Sequence, residues 1–234
     1  MKQKNEVIYF ILLSIIAVIF LIVLIYFGSS KIMIIDFYDR LLVGGLFIVC
    51  CSFGISLAFY PGWYRKILKP NKNKLDNKND KKVLRKRKGH HPDCDQFKNH
   101  IICIDKKVLC TGCLGLAIGS MISVLSILIY LVFTNGITST VFYILVFLGL
   151  IMIFFNFVEI MFPIRRRLLH IFSNVFIVIG FLFIVISVFE LTGSKTYAII
   201  GIIFSFLWLF TRIQLSHQRH IYICNSCKEK CKMY

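Results

Sequence analysis

Acidic residues and prolines are scarce in this sequence, and each shortage limits what the protein can be. Only 11 of the 234 residues are Asp or Glu, against 28 Lys and Arg, and charged residues make up 17% of the chain. Four prolines leave long helices uninterrupted. Because 58% of the residues are hydrophobic, the chain has more apolar surface than a soluble domain of this length buries. The composition therefore predicts a lipid-embedded protein.

Several short enzyme motifs are also missing. The chain has no His-Glu-x-x-His metalloprotease helix, no phosphate-binding glycine loop and no serine nucleophile elbow. These absences disfavour hydrolytic and nucleotide-driven activities. Whether the protein is an enzyme stays open.

Six stretches of the chain are long and apolar enough to cross a bilayer. A hydrocarbon core about 30 Å thick needs roughly 20 apolar residues per helix. The predicted fold is an all-α, six-transmembrane-helix bundle with a small zinc-knuckle-like cap. Short polar or glycine-bearing breaks predict that the last four spans pair as two tight hairpins. The predicted spans are residues 7–27, 41–60, 114–133, 140–162, 168–191 and 196–213.

The distribution of basic residues predicts the orientation. The segment 65–107 holds 15 of the 28, and a six-span chain places all but three of the others on the same side. Those three are Lys31, Arg40 and Lys195. Because cytoplasmic loops are enriched in Lys and Arg, both termini and the long loop are predicted to face the cytoplasm, in a multi-pass protein of the cell membrane.

The loop 61–89, which follows the first two spans (1–60), is predicted to be a disordered basic tether. Its residues 65–88 alternate Lys and Arg with Asn and Asp. An alternative is attraction to anionic lipid headgroups, worth about 1 kcal/mol per charge. Nucleic-acid binding is disfavoured, and recruitment of a protein partner stays open.

Cysteine and histidine are concentrated in residues 90–113, just before the spans in 114–213. The most regular subset is His91-x2-Cys94 and Cys110-x2-Cys113, with His100 as a substitute ligand. Two such pairs joined by a short hairpin suit a tetrahedral zinc ion.

The residues between the two pairs support this arrangement. Residues 101–104 and 108–109 are predicted strands with 105–107 as the turn. Gly112 and Gly115 are predicted to let the chain bend around the thiolates.

A second cluster fills the tail, residues 214–234. Disulfides do not persist in a reducing compartment, so metal binding is the favoured explanation. The sequence leaves open whether the tail forms its own site or completes the first. Its candidate ligands are His217, His220, Cys224, Cys227 and Cys231.

These clusters predict a zinc-binding membrane protein whose cap has a structural or partner-recruiting role. Zinc is favoured over iron or an iron–sulfur cluster. The main alternative is a thiol/disulfide oxidoreductase in which Cys110 and Cys113 exchange with Cys224 and Cys227 or with a bilayer quinone. An iron–sulfur electron carrier and a small transporter are further alternatives.

A few polar residues fall inside the predicted spans. Asn156 and Glu159 share a face of span four, and His170 and Asn174 share a face of span five. One expectation is that Glu159 pairs with residue 165 or 166, and the other is that the two faces form a polar pocket beneath the cap. Glu190 is expected to contact headgroups or Lys195.

The motif around the first cluster resembles a family of uncharacterised archaeal and bacterial membrane proteins, domain of unknown function 2085. The resemblance covers residues 90–133 and is closer to the archaeal branch. It rests on His-Pro-Asp-Cys at 91–94 and on Cys-x-Gly-Cys-x-Gly-Leu at 110–116. It implies a membrane location and metal binding but no reaction. The shared positions are His91, Cys94, His100, Cys110 and Cys113.

Overall fold

A computed structural model describes most of the chain. The described residues are 2–29, 35–59, 87–88, 91–92, 97, 100–104, 107–133, 137–162 and 166–226, without the side chains of 2–5, 87–88, 91–92, 104, 107–108 and 226. They form the helices α1 Lys2–Gly28, α2 Phe37–Phe59, α3 Thr111–Phe133, α4 Ser139–Met161, α5 Arg167–Thr192 and α6 Lys195–Ser226. Two short antiparallel pairs complete them: β1 Arg87–Lys88 with β2 His91–Pro92, and β3 Ile101–Ile104 with β4 Lys107–Cys110.

All six helices are long and apolar enough to cross a membrane, which confirms the predicted number of spans. The predicted sixth span, 196–213, forms the first part of α6, which continues as a helix to Ser226. Its 32 residues correspond to about 48 Å at 1.5 Å per residue, well beyond a 30 Å hydrocarbon core. The apolar run ends near residue 213, but no Gly or Pro follows to stop the helix.

The fifth helix, α5, is the centre of the bundle. It packs mainly against α4 and α3, and also against α6 and α1. Gly193 adopts a left-handed conformation (φ 61°) after α5 and lets the chain reverse into α6. The prediction that α3 and α4 pack together as a hairpin was wrong. Both helices pack on α5 rather than on each other.

Glycines let α5 approach its two main neighbours closely. A Cβ on Gly115 of α3 would lie 2.6 Å from the Ile171 carbonyl oxygen, and one on Gly119 would lie 2.8 Å from that of Val175. On the other side, a Cβ on Gly149 of α4 would lie 2.8 Å from the carbonyl oxygen of Gly180. Small residues at such positions allow helix backbones to touch in a membrane.

The β3–β4 hairpin confirms the strands predicted before span three. Ile101 pairs with Cys110, and Ile104 pairs with Lys107, so Lys107 belongs to the strand rather than to the turn. The predicted role of Gly112 and Gly115 in bending the chain was wrong, since both lie inside α3. There they permit close contact with neighbouring helices and side chains.

At the end of the bundle opposite the hairpin, two ion pairs and a hydrogen bond join α2, α3, α5 and α6. Glu190 accepts a hydrogen bond from Arg40 Nε at 3.0 Å and another from the Tyr130 hydroxyl. Lys195 pairs instead with Asp39, at 2.9 Å. The expected pairing of Glu190 with Lys195 was therefore wrong, since Glu190 pairs with the partly exposed Arg40 of α2.

Candidate functional site

The candidate site lies where the β3–β4 hairpin runs into α3. Cys110 is the last residue of β4 and Cys113 is in the first turn of α3. The thiol of Cys113 is hydrogen-bonded to the Cys110 side chain. Thr111 between them is fully buried, and its hydroxyl donates to the His100 carbonyl oxygen at 3.3 Å. The predicted thiol pair is therefore brought together at the start of α3.

An arginine that the sequence did not single out faces this pair. Arg212 of α6 is only 7% exposed and interacts electrostatically with both thiols and with Glu159. Its Nη2 would lie 3.1 Å from a Cβ on Gly112, between the two cysteines. Among the described residues its Nε has no hydrogen-bond partner. In the sequence, Arg212 is one of several basic residues near the end of a span, and no motif or spacing distinguishes it from the others.

The predicted meeting of the polar faces of α4 and α5 is confirmed. His170 Nδ1 lies 3.2 and 3.1 Å from the two carboxylate oxygens of Glu159, whose side chain is 3% exposed. This contact leaves His170 Nε2 directed at α3, 3.4 Å from where a Gly112 Cβ would be. Two arginines were expected as alternative partners of Glu159. Arg165 lies outside the described residues, and Arg166 has an exposed side chain.

Two buried asparagines extend this polar region. Asn156 donates from Nδ2 to the Ser173 carbonyl oxygen at 2.9 Å and to its hydroxyl at 2.8 Å. Asn174 donates to the His170 carbonyl oxygen. Both side chains are fully buried. The Asn156 bonds join the start of α5 to α4, and the Asn174 bond lies within α5, at His170 itself.

Three imidazoles form one group beneath the hairpin, although they come from distant parts of the chain. The His100 ring lies 5.5 Å, centre to centre, from both the His170 and the His220 rings. Phe97 packs against His100 and His220 at 5.6 and 5.1 Å and is 1% exposed. The hairpin cluster and the C-terminal cluster are therefore in contact.

The remaining predicted ligands are placed less completely. His217 is exposed on α6, and Cys224 is half-buried one turn beyond His220. Cys94, Cys227, Cys231 and the side chain of His91 lie outside the described residues. Within the described ranges, no group of three or more His, Cys, Asp or Glu is arranged to hold a metal ion.

A cleft among the six long helices reaches Cys113, one member of the thiol pair. It has a volume of about 230 Å³, and Cys113 forms part of its wall. Residues of α2, α5 and α6 form most of the rest, among them Phe47, Phe181 and Leu209. A separate cavity of about 380 Å³ lies between α1, α4 and α6 and does not include the thiol pair.

Comparison of the chain with models of known protein families, with curated proteins and with solved structures finds no match. The resemblance drawn from the motif at 91–116 therefore stays a prediction.

Proposed function

We propose that this is a multi-pass membrane protein in which the β3–β4 hairpin and the start of α3 hold a zinc ion, with a structural or partner-recruiting role. The observation that carries the proposal is the thiol pair Cys110/Cys113 held together against the buried Arg212. Six crossings of the bilayer, an even number, would put the hairpin and both chain ends on the same side. The excess of Lys and Arg on that side supports a cytoplasmic location in the cell membrane.

Charge balance favours ionised cysteines at this position. Within the described residues, Glu159 is the one carboxylate that interacts electrostatically with Arg212, and it also faces Arg219 and His170. A buried cation needs a nearby anion, since desolvation otherwise costs several kcal/mol. Neutral thiols do not supply that charge, whereas a zinc ion bound by the three thiolates of Cys94, Cys110 and Cys113 and by one neutral imidazole would carry a net negative charge.

The β3–β4 hairpin is also so small that a metal crosslink would add to its stability. Each strand has four residues, and a two-stranded hairpin of this kind is marginal by itself in water. Zinc bound by its last residue and by the first turn of α3 would fix it to the membrane helices. Cys110 and Cys113 supply two ligands. The sequence spacing supplies His91 and Cys94 for the others, with His100 or the tail cysteines Cys224 and Cys227 as alternatives.

The test is metal analysis of purified full-length protein kept under reducing conditions. We expect stoichiometric zinc that is lost in Cys110→Ser and in Cys113→Ser. Cys103→Ser is the matched control, because Cys103 lies in the same hairpin with an exposed side chain, and it should retain zinc. Metal-free wild-type protein that is folded and fully reduced would overturn the proposal.

A fourth variant, Cys224→Ser, distinguishes one site from two. Complete zinc loss in both Cys110→Ser and Cys224→Ser would indicate a single shared site, which the contact between His100 and His220 favours. Half the zinc lost from each variant would indicate two.

A second candidate is a membrane dithiol oxidoreductase that uses the same two cysteines. The observation that favours it is the position of Cys113, whose side chain lines a cleft among the membrane-spanning helices. A hydrogen-bonded thiol pair at a helix N-terminus beside an arginine is also suited to reversible disulfide formation. This candidate predicts zinc-free protein with a disulfide between Cys110 and Cys113 that forms and breaks on redox titration.

A further inference from the structure

The cavity between α1, α4 and α6 opens on the outside of the bundle, and we call it the outer groove. Its volume is about 380 Å³. The buried side chains of Trp208 and Thr211 form its floor, whereas those of Ile15, Phe154 and Met161 at its edges are more than half exposed. Because all three helices are long and apolar enough to cross a membrane, an opening of this kind faces lipid.

The outer groove has the length of one leaflet of a bilayer. Its α4 wall runs from Leu150, in the middle of that helix, to Met161, the last residue of the helix. This distance is about 16 Å at 1.5 Å per residue, or roughly half of a 30 Å hydrocarbon core. The walls on α1 and α6, within 11–18 and 208–215, lie in the same half of the bundle. The groove therefore occupies the leaflet on the hairpin side.

The walls of the outer groove suit a hydrocarbon chain. Its few polar side chains are engaged with one another, since Ser14 Oγ and Thr211 Oγ1 share a hydrogen bond of 2.8 Å and Trp208 Nε1 donates to the Ser14 carbonyl oxygen at 3.2 Å. The other lining residues are isoleucine, leucine, valine, phenylalanine and methionine. A polar molecule would lose its hydrogen bonds to water here without replacing them.

An arginine lies at the hairpin-side end of the outer groove. Arg219 is one turn beyond Leu215 on the same face of α6, and its Nη1 donates to the Ile160 carbonyl oxygen of α4 at 3.4 Å. The guanidinium is therefore next to Met161, where the groove ends. A phospholipid with its chain in the groove would have its phosphate at this level. Guanidinium groups bind phosphate oxygens through pairs of N–H donors.

The charge of Arg219 is only partly compensated within the protein. Among the described residues, Arg219 interacts electrostatically with the carboxylate of Glu159. That carboxylate also interacts with Arg212 and contacts His170. The side chain of Arg219 is partly exposed, so an anion outside the bundle can reach it. A phosphate would give this cation a second negatively charged partner.

We infer that the outer groove binds a phospholipid with a net negative headgroup. One hydrocarbon chain of the lipid occupies the groove, and its phosphate pairs with Arg219. Anionic lipids are attracted to basic side chains near the membrane surface, whereas the groove fixes the position of the chain. The inference uses none of the residues proposed to bind zinc, so it does not depend on that proposal.

The test is native mass spectrometry of purified full-length protein in detergent. The protein is titrated with phosphatidylglycerol, which is anionic, or with phosphatidylcholine of the same chain length, which is zwitterionic. We expect phosphatidylglycerol to bind about fivefold more tightly, the ratio that about 1 kcal/mol of attraction to one basic residue gives. Arg219→Gln should abolish this preference and Arg219→Lys should keep most of it. Arg167→Gln is the matched control, because it removes an exposed arginine from the same side of the bundle.

A substitution that fills the outer groove tests the site of the chain. Val158 of α4 lines the groove and is partly exposed. Val158→Trp should weaken phosphatidylglycerol binding roughly tenfold, which corresponds to about 1.4 kcal/mol. Val141→Trp is the control on the same helix, because Val141 is exposed and lies outside the groove. Thermal unfolding checks that both variants are folded, and Val158→Phe replaces Val158→Trp if the larger ring prevents folding.

Four results would overturn the inference. Equal affinity of the wild type for the two lipids would show adventitious lipid only. An equal loss of preference in Arg167→Gln and Arg219→Gln would show a general effect of charge. Equal binding by the two groove-test variants at 158 and 141 would place the lipid elsewhere. A dimer that forms as phosphatidylglycerol is released would assign the groove to a second copy of the chain. Because the titration needs no metal, failure of the zinc proposal would leave all of these outcomes interpretable.

Discussion

Replacing Gly115 with alanine is expected to destabilise the protein, because α3 and α5 touch at this residue. The new Cβ would lie 2.6 Å from the Ile171 carbonyl oxygen and 2.7 Å from Asn174 Cβ. Backbone and Cβ atoms cannot rotate away, so the helices must separate. Overpacking of this kind costs about 1–3 kcal/mol, and the better helix propensity of alanine offsets up to about 1 kcal/mol. We expect a net loss of about 2 kcal/mol.

The assay is thermal unfolding in detergent, followed by a thiol-reactive dye. A loss of about 2 kcal/mol corresponds to a fall in Tm of roughly 4–8 °C for a chain of this size. Gly45→Ala is the matched control. It gains the same helix propensity without a contact, so its Tm should be unchanged or higher. Below the transition, Gly115→Ala should also speed maleimide labelling of Cys113, which lies in the same turn of α3. Equal Tm values for the two variants would refute the packing argument.

Two further substitutions test the ends of the bundle. Glu190→Gln should cost about 1–3 kcal/mol because it leaves the partly buried Arg40 without its carboxylate, whereas Asp39→Asn should change the unfolding free energy by less than about 1 kcal/mol because its pair is exposed. Similar values in a denaturant titration would contradict this ranking. Phe97→Ala removes a fully buried ring and should loosen the hairpin by about 3 kcal/mol, seen as faster hydrogen exchange of the β3–β4 amides. Unchanged exchange would mean that the ring does not hold the hairpin down.

The spans were predictable because a bilayer imposes a simple requirement of length and apolarity on each of them. Their pairing was not predictable in the same way. The link between α3 and α4 is short, and short links usually join neighbours. Glycines at 115, 119, 149 and 180 instead let α5 pack between the two. The glycine spacing in α3 indicated this close helix packing, but in the sequence analysis Gly112 and Gly115 were interpreted as positions where the chain bends.

The candidate site was predictable where it is local. Cys110 and Cys113 are three residues apart, and the hairpin before them follows from two short, continuous apolar runs, 101–104 and 108–109, on either side of a polar turn. The approach of His100 to His170 and His220 depends on how three separate elements pack. No pattern along the chain contains that information. Arg212 was missed for the same reason, because its role comes from what lies opposite it in the fold.

The central position of α5 has a consequence for biosynthesis. Synthesis proceeds from the N-terminus, so α3 and α4 enter the bilayer before the helix on which both of them pack. Until α5 follows, the glycine-bearing surfaces of α3 and α4 face lipid or the insertion machinery, and the thiol pair is without His170. A nascent chain stalled after α4 would present an unfinished bundle, and quality-control proteases of the membrane would have their best opportunity to remove the protein in that interval.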